Sequence, residues 1–289
     1  MHFINPKTDY AFKKIFGSEQ SHDILISFLN AILYDGHRTI QQIEILNPYL
    51  APRIRGMKDT YLDVRADLDN NTTVIIEMQV LNVEGFEKRI LYNAAKAYSI
   101  QLGKGEDYTL LDPVIALTIT DFEMFPELNQ LKSCFILKEK DYLVDYPIYD
   151  IELVFVELPK FQKVIDDLET LADKWLYFLK SAKQLQVVPE SMNLVPEIRK
   201  AFEIANQANL SQDELEDLEK REMFIHDQRN AIKKALKQGL EQGLEQGKIE
   251  GRLESKLEIA KQLLDMLDDE TTARTTGLSL EEIAKLRNS

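Results

Sequence analysis

The chain has 289 residues, a net charge of −14 and 44% hydrophobic content, enough apolar material for at least one full core; the acidic balance argues against an avid, non-specific DNA binder while leaving room for a local basic groove. A single cysteine, Cys134, excludes an intramolecular disulfide framework and a cysteine-rich zinc site, and His2, His22, His37 and His226 lack metal-ligand spacing. No apolar run reaches the roughly 18 residues that span a bilayer, and the start "MHFINPKTDY" has no apolar signal region, so the expectation is a cytoplasmic protein with no membrane partner.

Phe12, Ile15 and Phe16 recur at helical spacing, and Ile24, Leu25, Phe28, Leu29 and Ile32 form a second stripe. The first 33 residues therefore read as two helices broken at Gly17 and Ser18. "IEILNPY" from Ile43 is a short strand, and residues 62–80, "LDVRADLDNNTTVIIEMQV", alternate as a hairpin. "EKRILYNAAKAYSIQLGKG" from Glu87 is a helix stopped by Gly103 and Gly105, with Tyr92 and Tyr98 packed toward the sheet. "PVIALTITDF" from Pro113 suits a central strand, and "SCFILKEK" and "IELVFVEL" are further strands. This order predicts an α/β fold, a mixed sheet flanked by helices, over residues 1–160. Helical composition then takes over. A helical extension is expected over 161–228, its amphipathic segment carrying Trp175, Leu176 and Leu179 and its end an acidic, exposed stretch, "SQDELEDLEKREMF". Residues 229–289 are expected to hold one long helix to about Leu267 and a short helical tail.

The hairpin carries Val64, Ala66, Leu68, Val74, Ile76, Met78 and Val80 on one face, and Asp63, Arg65, Asp67, Ile75, Glu77 and Gln79 on the other. With a three-residue loop of Asp69, Asn70 and Asn71, Leu68 pairs with Thr72 and Asp63 lies opposite Glu77, their Cβ atoms roughly 5 Å apart. Two carboxylates at that spacing repel each other but can share one hard divalent cation. The alternative register sets Asp63 opposite Gln79 and Arg65 opposite Glu77, an ordinary cross-strand ion pair on a solvated face.

Near the end, "KQGLEQGLEQGKIEGRLE" places Gly239, Gly243, Gly247 and Gly251 four residues apart. Each interior glycine costs a helix about 1 kcal/mol relative to alanine, so this segment calls for a partner. The reading is homo-oligomerisation through the 229–267 helix. In "TTARTTGLSLEEIAKLRNS", Gly277 marks a turn and Ser279 with Glu282 a capping box, which suits helix packing better than base reading.

The segments "NPKTDYAFKKIFGSEQSHDILISFLNAIL", "YLDVRADLDNNTTVIIEMQV", "KRILYNAAKAYSIQLGKGEDYTLLDPVIALTITDF" and "IELVFVELPKF" together resemble the PD-(D/E)XK nuclease family transposases, also called recombination-promoting nucleases. The resemblance runs from Asn5 to Phe161 and implies a restriction-endonuclease-like core acting on double-stranded DNA with Mg2+ or Mn2+. By motif, Asp63 matches the acidic residue of the first catalytic strand, and Glu77 and Gln79 match the Glu-x-Lys pair of the next. Asp63 and Glu77 would hold the metal. Lysine is the usual third residue; Gln79 cannot take a proton, and Leu62 replaces the usual proline. Arg89 and Gln101 match residues typical of the family and would reach substrate phosphate, or Arg89 would neutralise the carboxylates. Asp9 and Lys13 are either substrate-contacting or a surface i,i+4 pair. The competing expectation is a catalytically degenerate nuclease fold acting as an oligomerising regulatory module.

Overall fold

Thr8 opens the first helix, α1 (Asp9–Phe16): its hydroxyl accepts from the Ala11 N–H, and Asp9 sets a carboxylate in the electropositive first turn. Gly17 ends it. A Cβ at Gly17 would lie 3.0 Å from the Lys13 carbonyl and 3.3 Å from Val64 Cγ2, so glycine lets the end of this helix settle against the chain at Asp63 and Val64. Helix α2 (His22–Leu33) follows with Ile24, Leu25, Phe28 and Leu29 buried, as their spacing predicts.

The computed structural model describes residues 1–50 and 60–288, which form two compact units, 1–225 and 226–289. In the first unit the strands are β1 (Ile43–Leu46), β2 (Tyr49–Leu50), β3 (Thr60–Tyr61), β4 (Val64–Leu68), β5 (Thr73–Gln79), β6 (Val114–Thr120), β7 (Lys132–Phe135) and β8 (Ile151–Glu157). Six of them form one mixed sheet in the order β1-β4-β5-β6-β8-β7. Its β5, β6 and β8 are mutually parallel, and the remaining pairings are antiparallel. Strands β2 and β3 form a separate two-stranded ribbon.

Helix α3 (Phe86–Ser99) makes the crossover from β5 to β6 and starts at Gly85, whose φ of +78° is a left-handed conformation that favours glycine. It covers one sheet face, where Ala94 and Ala97 meet Ile75, Val114 and Ala116. The opposite face buries Val64, Ala66, Leu68, Val74, Ile76 and Met78 against α1 and α2. Helices α4 (Leu171–Ser181), α5 (Glu190–Asn193) and α6 (Pro196–Ala205) share that larger core. Trp175 anchors it, packing edge-on against Phe28 and Phe178 and donating from Nε1 to Ser27 Oγ at 3.2 Å. The result is the helix–sheet–helix layering expected from the order of elements.

Helix α7 runs from Gln212 to Leu264, so the acidic stretch read as exposed is its opening, and the helix begins well before Arg229. In the first unit Leu218 is buried in the main core, Lys14 Nζ meets Glu214 Oε1 at 2.5 Å, and the Tyr10 hydroxyl donates to the same carboxylate. In the second unit α7 packs through Leu257, Ala260 and Leu264 against α8 (Asp269–Thr276) and α9 (Leu280–Arg287). Gly277 caps α8 at φ +68°, and Ser279 and Glu282 form the predicted capping box on α9. Gly239, Gly243, Gly247 and Gly251 all lie within α7, and a Cβ at any of them would meet nothing within 4 Å. Among the described residues no helix is long and apolar enough to cross a membrane.

Candidate functional site

The β4–β5 hairpin builds the floor of the site. Asn71 takes φ +63° in the loop and the Leu68 N–H donates to the Thr72 carbonyl at 2.9 Å, which sets Val64 opposite Ile76 and Arg65 opposite Ile75. This is the register that leads Asp63 toward Glu77; the alternative pairing of Arg65 with Glu77 does not occur. Asp63 sits one residue before β4, and its Oδ2 accepts from the Met78 N–H at 2.8 Å, tying it across the hairpin to the strand that carries Glu77.

Helix α1 supplies the next layer. Lys13 Nζ lies 2.6 Å from Asp9 Oδ1 and 3.4 Å from Asp63 Oδ1, so Asp9 and Lys13 are more than a surface pair. Burial, and then the hydrogen bond its carboxyl makes to the neighbouring Asp9 carboxylate, push Asp63 up to about 7. Of the two carboxyls, Asp63 is therefore the one favoured to carry a proton. Burial raises Asp9 as well, but its bonds to Asp63 and Lys13 outweigh this and leave it below the usual range. Lys13, although burial works the other way, is held above its ordinary value by Asp9 and Asp63, so it stays charged.

Helix α3 closes the other side. Asn93 Nδ2 donates to Glu77 Oε1 at 2.6 Å, and Arg89 Nη2 lies 3.5 Å from Glu77 Oε2. Burial raises Glu77 despite Arg89 and Asn93. Gln79 is held at both ends, its Oε1 accepting from Arg89 Nη2 at 2.9 Å and its Nε2 donating to the Leu81 carbonyl at 2.7 Å. A cavity of about 1170 Å³ opens over these groups, with Asp9, Asp63, Glu77, Gln79 and Arg89 in its lining. Lys7, Lys88, Lys220 and Arg221 line it too, a concentration of positive charge in an acidic chain.

Gln101 is placed elsewhere. Helix α3 ends at Ser99, and beyond it the Gln101 amide clasps the Asp112 backbone, donating to its carbonyl at 3.0 Å and accepting from its N–H at 2.7 Å. Tyr98 packs beside the α3 core and donates to Asp150, as expected for a packing residue. Tyr92 instead lines the cavity. Asn93 and Arg221 were not foreseen. Asn93 had a legible signal, being four residues past Arg89 on the same helical face. Arg221 had none, because only the packing of α7 brings its Nη1 to 3.3 Å from Asp9 Oδ2.

The donor set suits a hard cation. Asp63 and Glu77 offer oxygen ligands, both are destabilised as anions by burial, and a nearby dication would relieve both. Among the described residues no three or more His, Cys, Asp or Glu side chains gather as a ready-made metal site.

A family model described as PD-(D/E)XK nuclease family transposase matches residues 6–235. No curated protein and no solved structure matches the chain.

Proposed function

Because the chain belongs to the PD-(D/E)XK nuclease family transposases, we propose that it is a metal-dependent endonuclease that hydrolyses DNA phosphodiester bonds, with Mg2+ or Mn2+ held by Asp63 and Glu77. The observation that carries this reading is a pair of desolvated carboxylates, bridged by the Asp63–Met78 bond, at the floor of a cation-lined cavity in a chain of charge −14. When bound, the metal supplies a Lewis acid for the scissile phosphate and a water of lowered pKa. The side chains do the rest. Lys13, kept protonated, stabilises negative charge and is no proton acceptor. Arg89 reaches a phosphate oxygen by turning from Glu77 and Gln79, and Asn93 holds Glu77 in one orientation. Gln79 orients rather than titrates. Self-association through residues 229–267 is part of the same proposal, supported by the unfilled glycines and by Leu236, Leu240 and Leu244, which are exposed along the same segment.

The test is supercoiled plasmid with Mg2+ or Mn2+, read by gel. Wild type should nick it, and EDTA, Asp63→Ala or Glu77→Ala should each stop the nicking. Equal nicking by all of them would sink the assignment and favour the degenerate, regulatory reading. Asn93→Ala should lower the nicking rate 10–100-fold and weaken metal affinity, as loss of a ligand-orienting partner does. Calorimetric metal titration checks the second half.

A further inference from the structure

Two helices bring the same short pattern to the cavity. On α3 it is "KRILY", Lys88 to Tyr92, and on α7 it is "KREMF", Lys220 to Phe224. In each, a lysine and an arginine are followed by an aromatic ring four residues after the lysine, so lysine and ring share one helical face. Lys88, Arg89 and Tyr92 line the cavity from one helix, and Lys220, Arg221 and Phe224 line it from the other. The two arginines mark opposite ends of the acidic cluster. Arg221 touches Asp9, which is bonded to Asp63, and Arg89 touches Glu77.

The cations suit phosphate, and the rings suit bases. Lys88 and Lys220 are exposed, and neither has an ion-pair partner among the described residues. Phe224 is 62% exposed and Tyr92 36%, so both rings are accessible in the cavity they line. A positively charged groove with aromatic platforms is the arrangement that holds an unpaired strand, since every base has a stackable face. Within a duplex those faces are covered by neighbouring base pairs. At about 1170 Å³ the cavity also exceeds the roughly 300–1,000 Å³ of small-ligand pockets and accommodates a polymer segment.

We propose that the DNA strand crossing Asp63 and Glu77 is unpaired there, its phosphates held by the two Lys-Arg pairs and its bases stacked on Tyr92 and Phe224. This rests on the nuclease reading for the identity of the polymer. It narrows the substrate to single strands, forks, flaps or locally melted duplex.

The experiment is fluorescence anisotropy in EDTA, so that binding is read without cleavage. It compares a labelled single strand, a forked duplex and a blunt duplex of the same sequence. The single strand and fork should bind about tenfold more tightly than the blunt duplex. Phe224→Ala and Tyr92→Ala should each remove most of that preference while leaving blunt-duplex affinity unchanged. Lys220→Ala should weaken all three substrates together and flatten the salt dependence. Blunt duplex binding as tightly as the single strand would overturn the proposal, as would ring variants that weaken every substrate equally. Because the rings are exposed, a thermal midpoint equal to wild type confirms that these variants fold. Nicking of plasmid without strand preference defeats this inference alone; strand preference without any cleavage defeats the nuclease reading alone.

Discussion

With metal chelated, the wild-type protein should lose more stability than Asp63→Asn as pH rises from about 4 to about 7. The paired Asp9 and Asp63 carboxyls keep a proton up to about pH 7 because burial, then their mutual hydrogen bond, penalises the second negative charge. An unfolded aspartate releases its proton near 3.8. Between those values the native state holds one proton more than the unfolded state, so stability falls with rising pH by at most about 1.4 kcal/mol per unit. Above the folded value the curve flattens, with up to about 4 kcal/mol forgone. An asparagine amide at this position reproduces the protonated form: its oxygen accepts from the Met78 N–H and its nitrogen donates to Asp9. The substitution should therefore stabilise the metal-free protein most at pH 7–8 and barely at pH 4, while cleavage falls about 10³-fold with the loss of a metal ligand, several kcal/mol of barrier. Urea midpoints across that pH range, beside plasmid nicking, measure both. Parallel pH curves for wild type and variant would show that no proton is shared.

Glu157→Ala should be the most damaging single change away from the cavity, costing about 3–5 kcal/mol. Glu157 is fully buried at the end of β8, where its Oε1 accepts from the Met124 and Phe125 N–H groups at 2.6 and 3.0 Å. Its Oε2 meets Lys160 Nζ at 2.5 Å, and that ammonium also donates to the carbonyls of Phe125 and Leu128. One carboxylate thus organises the chain that follows β6, the stretch whose Asp121 holds the cavity-lining Lys7 at 3.0 Å. Removing it strands two amide donors and a buried cation together. Thermal melting should show a drop of roughly 10 °C in the first unit's transition. The pair Glu157→Leu with Lys160→Met should recover part of the loss, because the stranded charge goes while the amides stay unpaired. A double variant no better than the single one would place the cost in the amide bonds alone.

The hairpin was legible because a period of two admits few registers once one face is apolar, and because Asn71 tolerates the left-handed turn that selects among them. The paired layers of helix and sheet followed from the same patterning. What escaped the sequence had physical reasons. Strands β2 and β3 are two residues long, too short for any periodicity to register. Gln101 was put on α3 because Gly103 and Gly105 look like stop signals, yet the helix ends at Ser99, whose hydroxyl donates back to the Lys96 carbonyl. Asp9 and Lys13 read as a surface pair until α1 is set against Asp63, a placement that depends on the close approach at Gly17. The opening of α7 is too charged to show a helical stripe, and tertiary bonds to Tyr10, Lys14 and Asp9 hold it in place.

Gln79 and Arg89 form one hydrogen-bonded unit split between two elements. Where lysine is usual at the third motif position, the positive charge here comes from the helix, and the strand residue is its acceptor. A lysine at position 79 would face the Arg89 guanidinium at the distance where Gln79 now accepts a hydrogen bond. Placing lysine at position 79 without a like-charge conflict therefore takes two changes, one on the strand and one on the helix. Relatives should divide into those that keep the cation on the strand and those that keep it on the helix, with few carrying both.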